Sequence, residues 1–305
     1  MEYRILKYFL TVAREENITH ASEILHISQP ALSRQLMQLE EELGVQLFIR
    51  GRRKIALTDA GFLLRRRAQE IIELTEKTAD ELHDTSAVHG IISIGTGEAE
   101  TMRKLAGLMQ TFSEQYPSVK FDLYSNNADF IKERLDKGLL DIGIIIEPSD
   151  LSKYESIRFD NSERCGVIVP AKSPLAEKEY IRAEDLIGYK VFTSLRATAL
   201  GVEAWFGELY DKLDIYMTFN LIYNAAMLVD CGFGVATTIE GAVSLYQNPN
   251  IVFKPFYPAL TATSMLVWKK YQPASQAVTK FIDFIKANLG EESERSRENL
   301  PEPII

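Results

Sequence analysis

The stretch Thr19–Leu43, THASEILHISQPALSRQLMQLEEEL, decides how the amino-terminal part of this chain is read. Its first half carries Ala21, Ile24 and Leu25 at helical spacing and breaks at His26-Ile27. Ser28 stands where an N-cap belongs, its hydroxyl able to accept from free backbone N–H groups. Pro30 falls in the first turn of the next helix, where its missing N–H costs nothing. Leu32, Leu36, Leu39 and Leu43 then recur at the spacing of one buried stripe. Pro30, Arg34 and Gln38 point away from that stripe, and Gln29 and Ser33 lie near the helix tip. A helix with a leucine back and a polar, uncharged-to-basic front suits a major groove. There Gln pairs with adenine, Arg with guanine, and Ser with phosphate or base.

Beyond Val45 the pattern changes. The run QLFIRGRRKIALT (46–58) reads as two short apolar strands flanking Gly51-Arg52, a β-hairpin wing. Arg52 or Arg53 at its tip can enter a minor groove, while Arg50 meets phosphate. Between Gly44 and Arg67, seven basic residues (Arg50, Arg52, Arg53, Lys54, Arg65, Arg66, Arg67) stand against Asp59 alone. The whole chain is nevertheless acidic, with a net charge of −9. Residues 1–88 hold 12 Lys/Arg and 14 Asp/Glu; the remainder holds 22 and 29. A local patch on an acidic protein favours positioned phosphate contacts over indiscriminate coating of nucleic acid. Taken alone, the basic run is equally a solvated surface; the adjoining helix pair gives it a purpose.

The run Ala21-Ser22-Glu23-x-Leu25-His26-x-Ser28-Gln29-Pro30-Ala31-Leu32-Ser33-Arg34-Gln35 resembles the helix-turn-helix of the LysR-type transcriptional regulators. Leu47-Phe48-x-Arg50-x-x-Arg53-x-x-x-Leu57-Thr58-x-Ala60-Gly61 resembles that family's wing and the start of its linker helix. Many positions matching in order make this more specific than any short motif. One departure is Ser22, where the family more often has a second Ala; both are small. The resemblance implies promoter DNA as a partner, linker helices that pair antiparallel, homodimers that assemble as homotetramers, a small-molecule effector, and RNA polymerase as a further partner. With two lone cysteines and no catalytic or metal spacing, a cytoplasmic protein without cofactor or catalysis is expected.

The remaining amino-terminal features agree. Ile5, Phe9 and Val12 share one helical face, so the first segment is a packing helix, too charged and amphipathic for a signal peptide. Thr58 caps a long helix with Asp59 at its positive end. Leu64, Ala68, Ile71, Thr75, Thr78 and Leu82 recur every three or four residues to about Ser86, the spacing of a coiled-coil seam. The alternative is a helix lying on its own domain's core. A helix-turn-helix that reads two half-sites through a two-fold dimer favours the seam. Composition is ordinary globular, 46% hydrophobic and 25% charged. The two cysteines, Cys165 and Cys231, cannot make a disulfide framework or a metal site unaided and read as reduced thiols. No apolar run reaches the roughly 18 residues of a membrane span.

After His89-Gly90, strands and helices alternate. Strands are expected at 91–97, 119–125, 139–146, 165–171, 189–194, 215–219, 232–238 and 261–270. Helices are expected at 98–115, 127–137, 199–212, 222–231 and 274–288. Such alternation means crossover connections and a mostly parallel sheet. The segment order resembles the effector-binding domain of LysR-type regulators, itself similar to periplasmic binding proteins. Leu135-x-x-Gly138-x-Leu140-Asp141-Ile142-Gly143 and Leu228-Val229-x-x-Gly232-x-Gly234-Val235 carry that likeness. The fold class expected is α+β multidomain: a winged helix-turn-helix DNA-binding domain (1–58), a linker and dimerisation helix (59–89), and a periplasmic-binding-protein-like α/β effector domain. The latter has subdomain I (90–160 plus 265–289) and subdomain II (161–264), with crossings near Phe159–Asn161 and Thr263–Met265. The polar, acidic, Pro-bearing stretch 290–305 reads as a disordered tail.

A cleft between such subdomains is lined by strand carboxyl ends and helix N-termini, which suit anionic or polar ligands. The candidates are Thr96, Gly97, Glu98 and Thr101; Asn126 and Asn127; Thr193, Ser194 and Arg196; Tyr223 and Asn224; and Thr237 with Thr238. Each is equally what a residue capping its own helix looks like. Glu98 and Glu100 stand where relatives that respond to carboxylates often offer hydroxyls. Two acids there imply an effector with an amine or several hydroxyls near Glu98 and any acidic group held by Arg196, a zwitterion being one option. Alternatively they are first-turn acids stabilising a helix.

Catalysis is the rival function. The stretch contains no nucleophile elbow, P-loop, full dinucleotide fingerprint or metal spacing, and all four histidines (His20, His26, His83, His89) precede the α/β part, which has no His base. A transporter's solute-binding protein leaves 1–88 unexplained, and an architectural DNA protein needs no cleft. In the expected mechanism, effector binding shifts the subdomains and the packing of the oligomer, hence the spacing of the DNA-reading elements.

Replacing Gln29 by Ala should cost about 1–3 kcal/mol on the cognate operator and little on scrambled DNA, whereas Arg52→Ala should weaken all sequences together and flatten the salt dependence. Fluorescence anisotropy titrations at several salt concentrations check both; equal loss of affinity by Gln29→Ala on both DNAs removes its role in base readout.

Overall fold

A computed structural model describes residues 1–50, 55–82, 88–197, 201–246, 248–271 and 274–298. They fall into two compact units, Met1–Thr85 and Ser86–Ile305, described separately.

The first unit holds α1 (Tyr3–Glu15), α2 (Ile18–Ile24), α3 (Gln29–Leu43), β1 (Phe48–Arg50), β2 (Ile55–Leu57) and α4 (Asp59–Leu82). Helix α1 turns Ile5, Leu6, Phe9 and Val12 into the core. Asn17 starts α2, its side chain accepting from the N–H groups of Thr19 and His20. Between α2 and α3, His26 takes a left-handed conformation (φ 53°), which His tolerates better than bulky residues. Leu32, Leu36 and Leu39 are buried as their spacing predicts, but Leu43 is 39% exposed. The core closes a turn earlier because Leu47 and Phe48 cover that end, with Phe48 packed 5.2 Å from the ring of Phe9. Glu40 fixes this closure by accepting from the N–H groups of Leu47 (2.7 Å) and Phe48 (3.1 Å).

Strands β1 and β2 pair antiparallel, Phe48 opposite Leu57 and Arg50 opposite Ile55. The wing tip, including Arg52 and Arg53, lies outside the described residues. Thr58 caps α4 by accepting from Gly61 N–H (3.0 Å). A Cβ at Gly61 would sit 2.2 Å from the Leu47 carbonyl oxygen, so only glycine lets α4 lie this close to the chain entering β1. The expected seam is corrected here: Leu64 and Ala68 face the unit's own core together with Ile72. Ala68 and Ile72 share that core with α1, and Lys7 and Tyr3 of α1 reach across to Glu76 at 2.7 and 3.1 Å. The outward apolar face carries Phe62, Leu63 and Leu74 together with Ile71 of the expected seam. The last part of the expected helix, 83–86, lies outside the described residues.

The second unit contains β3 (Gly90–Thr96), α5 (Thr101–Gln115), β4 (Val119–Ser125), α6 (Ala128–Asp136), β5 (Ile142–Ile146), β6 (Tyr154–Pro170), β7 (Lys190–Ser194), α7 (Val202–Phe206), β8 (Asp214–Phe219), α8 (Ile222–Asp230), β9 (Val235–Ile239), β10 (Ile251–Pro255), β11 (Thr261–Lys269) and α9 (Gln276–Glu298). The sheet runs β4-β3-β5-β11-β6-β9-β7-β8, with β10 also on β6. Strand β3 is parallel to β4 and β5, and β7 to β8 and β9. Between these parallel groups, β6, β11 and β10 run antiparallel to their partners, so the sheet is mixed rather than mostly parallel.

Strand β6 begins at Tyr154, well before the expected 165. Its polar run Glu155–Arg164 conceals it, because alternate residues face solvent while the backbone pairs with β11. The β6–β11 register shifts between Thr263 and Met265. One hydrophobic core lies on the β3–β5 side around Phe112, Ile144 and Phe281; another lies on the β7–β9 side around Val167, Val191 and Phe206. We call these sides the first and second lobes. Strand β10 escapes the sequence pattern because it is short and ends in Pro255. The helix expected near 199–212 becomes α7 plus a 3₁₀ turn, since Gly207 takes φ 55°. The expected disordered tail is corrected in part: α9 continues through Glu298, as the Glu- and Arg-rich composition of 291–298 favours helix. Residues 299–305 lie outside the described residues.

Phe112 is fully buried, its ring 4.7–5.5 Å from those of Tyr116, Phe281 and Phe284. Phe112→Ala should destabilise the second unit by about 3–5 kcal/mol. Urea unfolding of the full chain, followed by near-ultraviolet circular dichroism, tests this; a shift below about 1 kcal/mol contradicts the packing described.

Candidate functional site

The first unit presents α3 as a two-sided helix. Ser28, its N-cap, accepts from Ala31 N–H at 3.4 Å. Ser28, Gln29, Pro30, Arg34 and Gln38 are exposed and Ser33 is half-buried, while the leucines hold the opposite face in the core. Six of the nine sequence-selected DNA contacts thus share one surface around the start and front of α3. Arg50 ends β1, paired with Ile55. Glu40 couples α3 directly to the strand that leads into the wing. Such an arrangement lets the helix front and the hairpin be carried as one rigid body.

The second unit has a cleft between its lobes. Gly97 and Glu98 enter it after β3, Asn127 from the start of α6, Ser194 and Arg196 after β7, and Thr237 and Thr238 from β9. Their convergence follows from strand direction, because these chain segments all leave parallel strands at carboxyl ends. The floor is apolar: Ile144, Ile145, Ile146, Phe219, Ile222 and Phe256.

Two charged side chains dominate this apolar space. Glu98 Oε2 accepts from Ile222 N–H, the first residue of α8, at 2.6 Å. Burial pushes the Glu98 carboxyl above its ordinary 4.5, with the Ile222 hydrogen bond opposing it. Arg196 is almost wholly buried; its Nε lies 3.3 Å from Asp129 Oδ2, on the first turn of α6.

Not every selected residue reaches the cleft surface. Thr96 is buried and donates to Gly97 O at 2.8 Å. Thr101 is fully buried in the first turn of α5. Thr193 is buried, its hydroxyl 3.0 Å from that of Thr237. Asn126 Nδ2 donates to the Tyr124 hydroxyl, and Asn126 Oδ1 accepts from Asn127 N–H. Asn126 borders the cleft rather than lining it and lies 3.4 Å from Asn220 Nδ2. Tyr223 and Asn224 turn outward, because α8 spends Ile222, Ala225, Ala226 and Val229 on its own core. The sequence reading passed over the apolar floor and Asn220. Asn220 directly follows β8 and obeys the strand-end rule; the floor residues look like any buried strand until the cleft is seen.

Beside the cleft, β6 places Glu163 between the lobes. Its Oε1 accepts from Glu100 N–H at 3.1 Å, and backbone groups of Thr101 and Gly241 also favour its charged form. Burial outweighs these and raises the carboxyl. A Cβ at Gly241 would meet Glu163 Oε2 at 2.0 Å and Glu100 N at 2.5 Å, so the turn after β9 can close here only as glycine. Glu100 in turn accepts from the Ser244 hydroxyl at 3.0 Å and pairs with Arg103, which holds it below the usual carboxylate range. Among the described residues there is no group of three or more His, Cys, Asp or Glu placed to hold a metal, and no helix is long and apolar enough to cross a membrane.

Comparison with known proteins gives a concordant set of likenesses. Residues 3–62 match the family described as bacterial regulatory helix-turn-helix protein, lysR family, and residues 85–290 match the LysR substrate binding domain. The chain is 30% identical over 296 residues to the Hca operon transcriptional activator HcaR of Escherichia coli, covering 95% of this chain and 98% of that protein. It is 34% identical over 212 residues to the HTH-type transcriptional regulator AlsR of Bacillus subtilis, covering 67% of this chain and 66% of that one. The crystal structure of full-length CbnR complexed with its target DNA superposes with a TM-score of 0.72 at 22% identity, covering 94% of this chain and 99% of that one.

A raised folded-state carboxyl contributes stability fully present below its unfolded value and lost as pH rises through the folded one. Glu163 therefore penalises the second unit at neutral pH relative to a neutral isostere. Glu163→Gln should melt above the parent at pH 7, and the difference should vanish as pH falls toward 4.5. Thermal denaturation of both proteins across that range checks this; a pH-independent difference contradicts it.

Proposed function

The chain belongs to the LysR family of transcriptional regulators, and from that membership we propose how its DNA-reading surface and its cleft divide the work. It is a DNA-binding regulator with an effector-binding domain. In this reading Gln29 and Arg34 read base edges in the major groove, with Gln38 one turn further along the same front. Ser28, Ser33 and Arg50 position the helix on phosphates, and Pro30 shapes its first turn. Arg52 and Arg53 enter the adjacent minor groove. The outward face of α4, with Phe62, Leu63, Ile71 and Leu74, pairs two copies into a dimer, and dimers associate into tetramers. The regulator works in the cytoplasm and communicates with RNA polymerase at the promoter.

The effector occupies the cleft of the second unit. The observation that supports this most is the presence of two opposite charges, Glu98 and Arg196, in a cleft whose floor is apolar. A small zwitterion or amino-bearing acid fits: its apolar body lies on Ile144–Ile146 and Phe219, its acidic group on Arg196, its amine or hydroxyls at Glu98. Gly97, Asn127, Ser194 and Thr237 supply the remaining polar surface. Effector binding then shifts the lobes and, through the oligomer, the geometry of the DNA-reading elements.

Calorimetry on the full chain with a panel of small zwitterions and dicarboxylates tests the reading. A zwitterion should bind and lose at least tenfold in affinity with Glu98→Gln, about 1.4 kcal/mol. Tight binding of a simple dicarboxylate, untouched by that substitution, overturns it. Mapping the chain's genomic binding sites would connect the effector class to the neighbouring genes.

A further inference from the structure

The cleft carries charge of its own. Each of its two charged side chains already has a partner, and each partner belongs to the opposite lobe. Glu98 leaves β3 of the first lobe and accepts from Ile222 N–H at the start of α8 in the second. Arg196 leaves β7 of the second lobe and meets Asp129 on α6 of the first. The two ties run in opposite electrostatic senses. In one, a first-lobe carboxylate sits on the partly positive N-terminus of a nine-residue helix. In the other, a second-lobe guanidinium sits on a first-lobe carboxylate.

We propose that Glu98 and Asp129 are built-in stand-ins for the effector: they tie the lobes together across the unliganded cleft, and an effector acts by replacing them. The inference rests on the effector reading of this cleft and adds its regulation and selectivity. An acidic group arriving at Arg196 must displace Asp129, which is largely exposed while Arg196 is buried, so Asp129 can swing to water at little cost. A donor arriving at Glu98 must offer that carboxylate more than Ile222 N–H does. Glu98 is half-buried, and the Ile222 N–H is the one partner that its surroundings give it in the closed cleft among the described residues. An ammonium exceeds a backbone N–H as a donor to a carboxylate because the hydrogen bond is charge-assisted. A ligand with only an acid breaks one tie and leaves the other; a ligand with both groups breaks both. Selectivity for a two-headed ligand then comes from the chain's own carboxylates, not from the shape of the cleft.

Geometry elsewhere supports lobe motion as the outcome. Among the described residues only β6 and β11 continue from one lobe to the other as strands, and their ladder is irregular between Thr263 and Met265. Beside the cleft, Glu163 and Glu100 join the lobes as well, through Glu100 N–H and Ser244. Releasing the two charged ties leaves these contacts and that of Asn220 with Asn126 in place, which favours rotation about the strand pair over separation.

Electron spin resonance distance measurements on the full chain test this without any ligand. One label goes on the exposed Cys231 of the second lobe and one on a cysteine introduced by Lys120→Cys on the first. Buried Cys165, its thiol pushed up to about 11, stays unlabelled. Labelled protein is diluted into unlabelled protein so that distances within one chain dominate. The parent should give one narrow distance, and the double substitution Glu98→Ala with Asp129→Ala should add a second population; a distribution identical to the parent's overturns the tie. Propionate provides the second arm, as a probe carrying an acid and no amine. Asp129→Ala should bind propionate at least tenfold more tightly than the parent, with Asp129→Asn intermediate. Equal or weaker binding overturns the competition. The distance arm needs no effector, so failure of every zwitterion to bind would sink the effector reading and leave the ties measurable.

Discussion

A single antiparallel strand pair carries the second unit. The ladder from Thr261 opposite Arg164 to Lys269 opposite Tyr154 joins β11 to β6, and β6 then continues to Pro170 against β9 and β10. Both hydrophobic lobes hang on those two strands. Backbone hydrogen bonds are directional, so the pair resists stretching and sliding, and it yields most easily where the register is broken, between Thr263 and Met265. A cleft hinged on strands differs from one hinged on loops: its walls have one preferred motion, and a small change in polar contact at the mouth is transmitted to both lobes.

Around that hinge the chain repeatedly satisfies carboxylates with backbone N–H groups rather than with cations. Glu98 uses Ile222, Glu163 uses Glu100, and in the first unit Glu40 uses Leu47 and Phe48. The Glu98 and Glu163 bonds connect segments 124 and 63 residues apart. An acidic protein can thereby use its surplus of carboxylates as joints, since an N–H at a helix start or a strand edge is oriented to receive a negative charge. The desolvation that raises Glu98 and Glu163 is the cost of placing such joints between lobes. It also makes them easier to exchange than a buried ion pair.

What could be read from residues alone followed the range of the interaction involved. Caps and leucine periodicity are local, so Ser28, Leu32, Leu36 and Leu39 took their expected places, and the α3 front followed from them. Leu43, Leu64 and Ala68 did not, because periodicity states that a face is buried without stating against what. Leu47 and Phe48 close the core ahead of Leu43, and α1 receives the face of α4 that a partner helix was expected to receive. The polar half of β6 carried no strand pattern because its neighbour is a second strand of the same chain, brought alongside from a hundred residues away. In the cleft, the strand-end rule brought Gly97, Glu98, Asn127, Ser194, Arg196 and Thr237 to one surface. It could not say that α8 would turn Tyr223 and Asn224 outward, since that depends on which face of α8 the second core accepts.

The sequence by itself determined the helix pair that reads DNA, the order of most strands and helices, and the family to which the chain belongs, because each is written in short-range spacing or in residues matched one after another. Only the tertiary structure decided which carboxylate meets which N–H across the cleft, that Arg196 is buried beside Asp129, and that Gly241 must be glycine beneath Glu163. Those contacts join residues far apart in the chain, and their geometry exists only once two lobes have closed on a shared pair of strands.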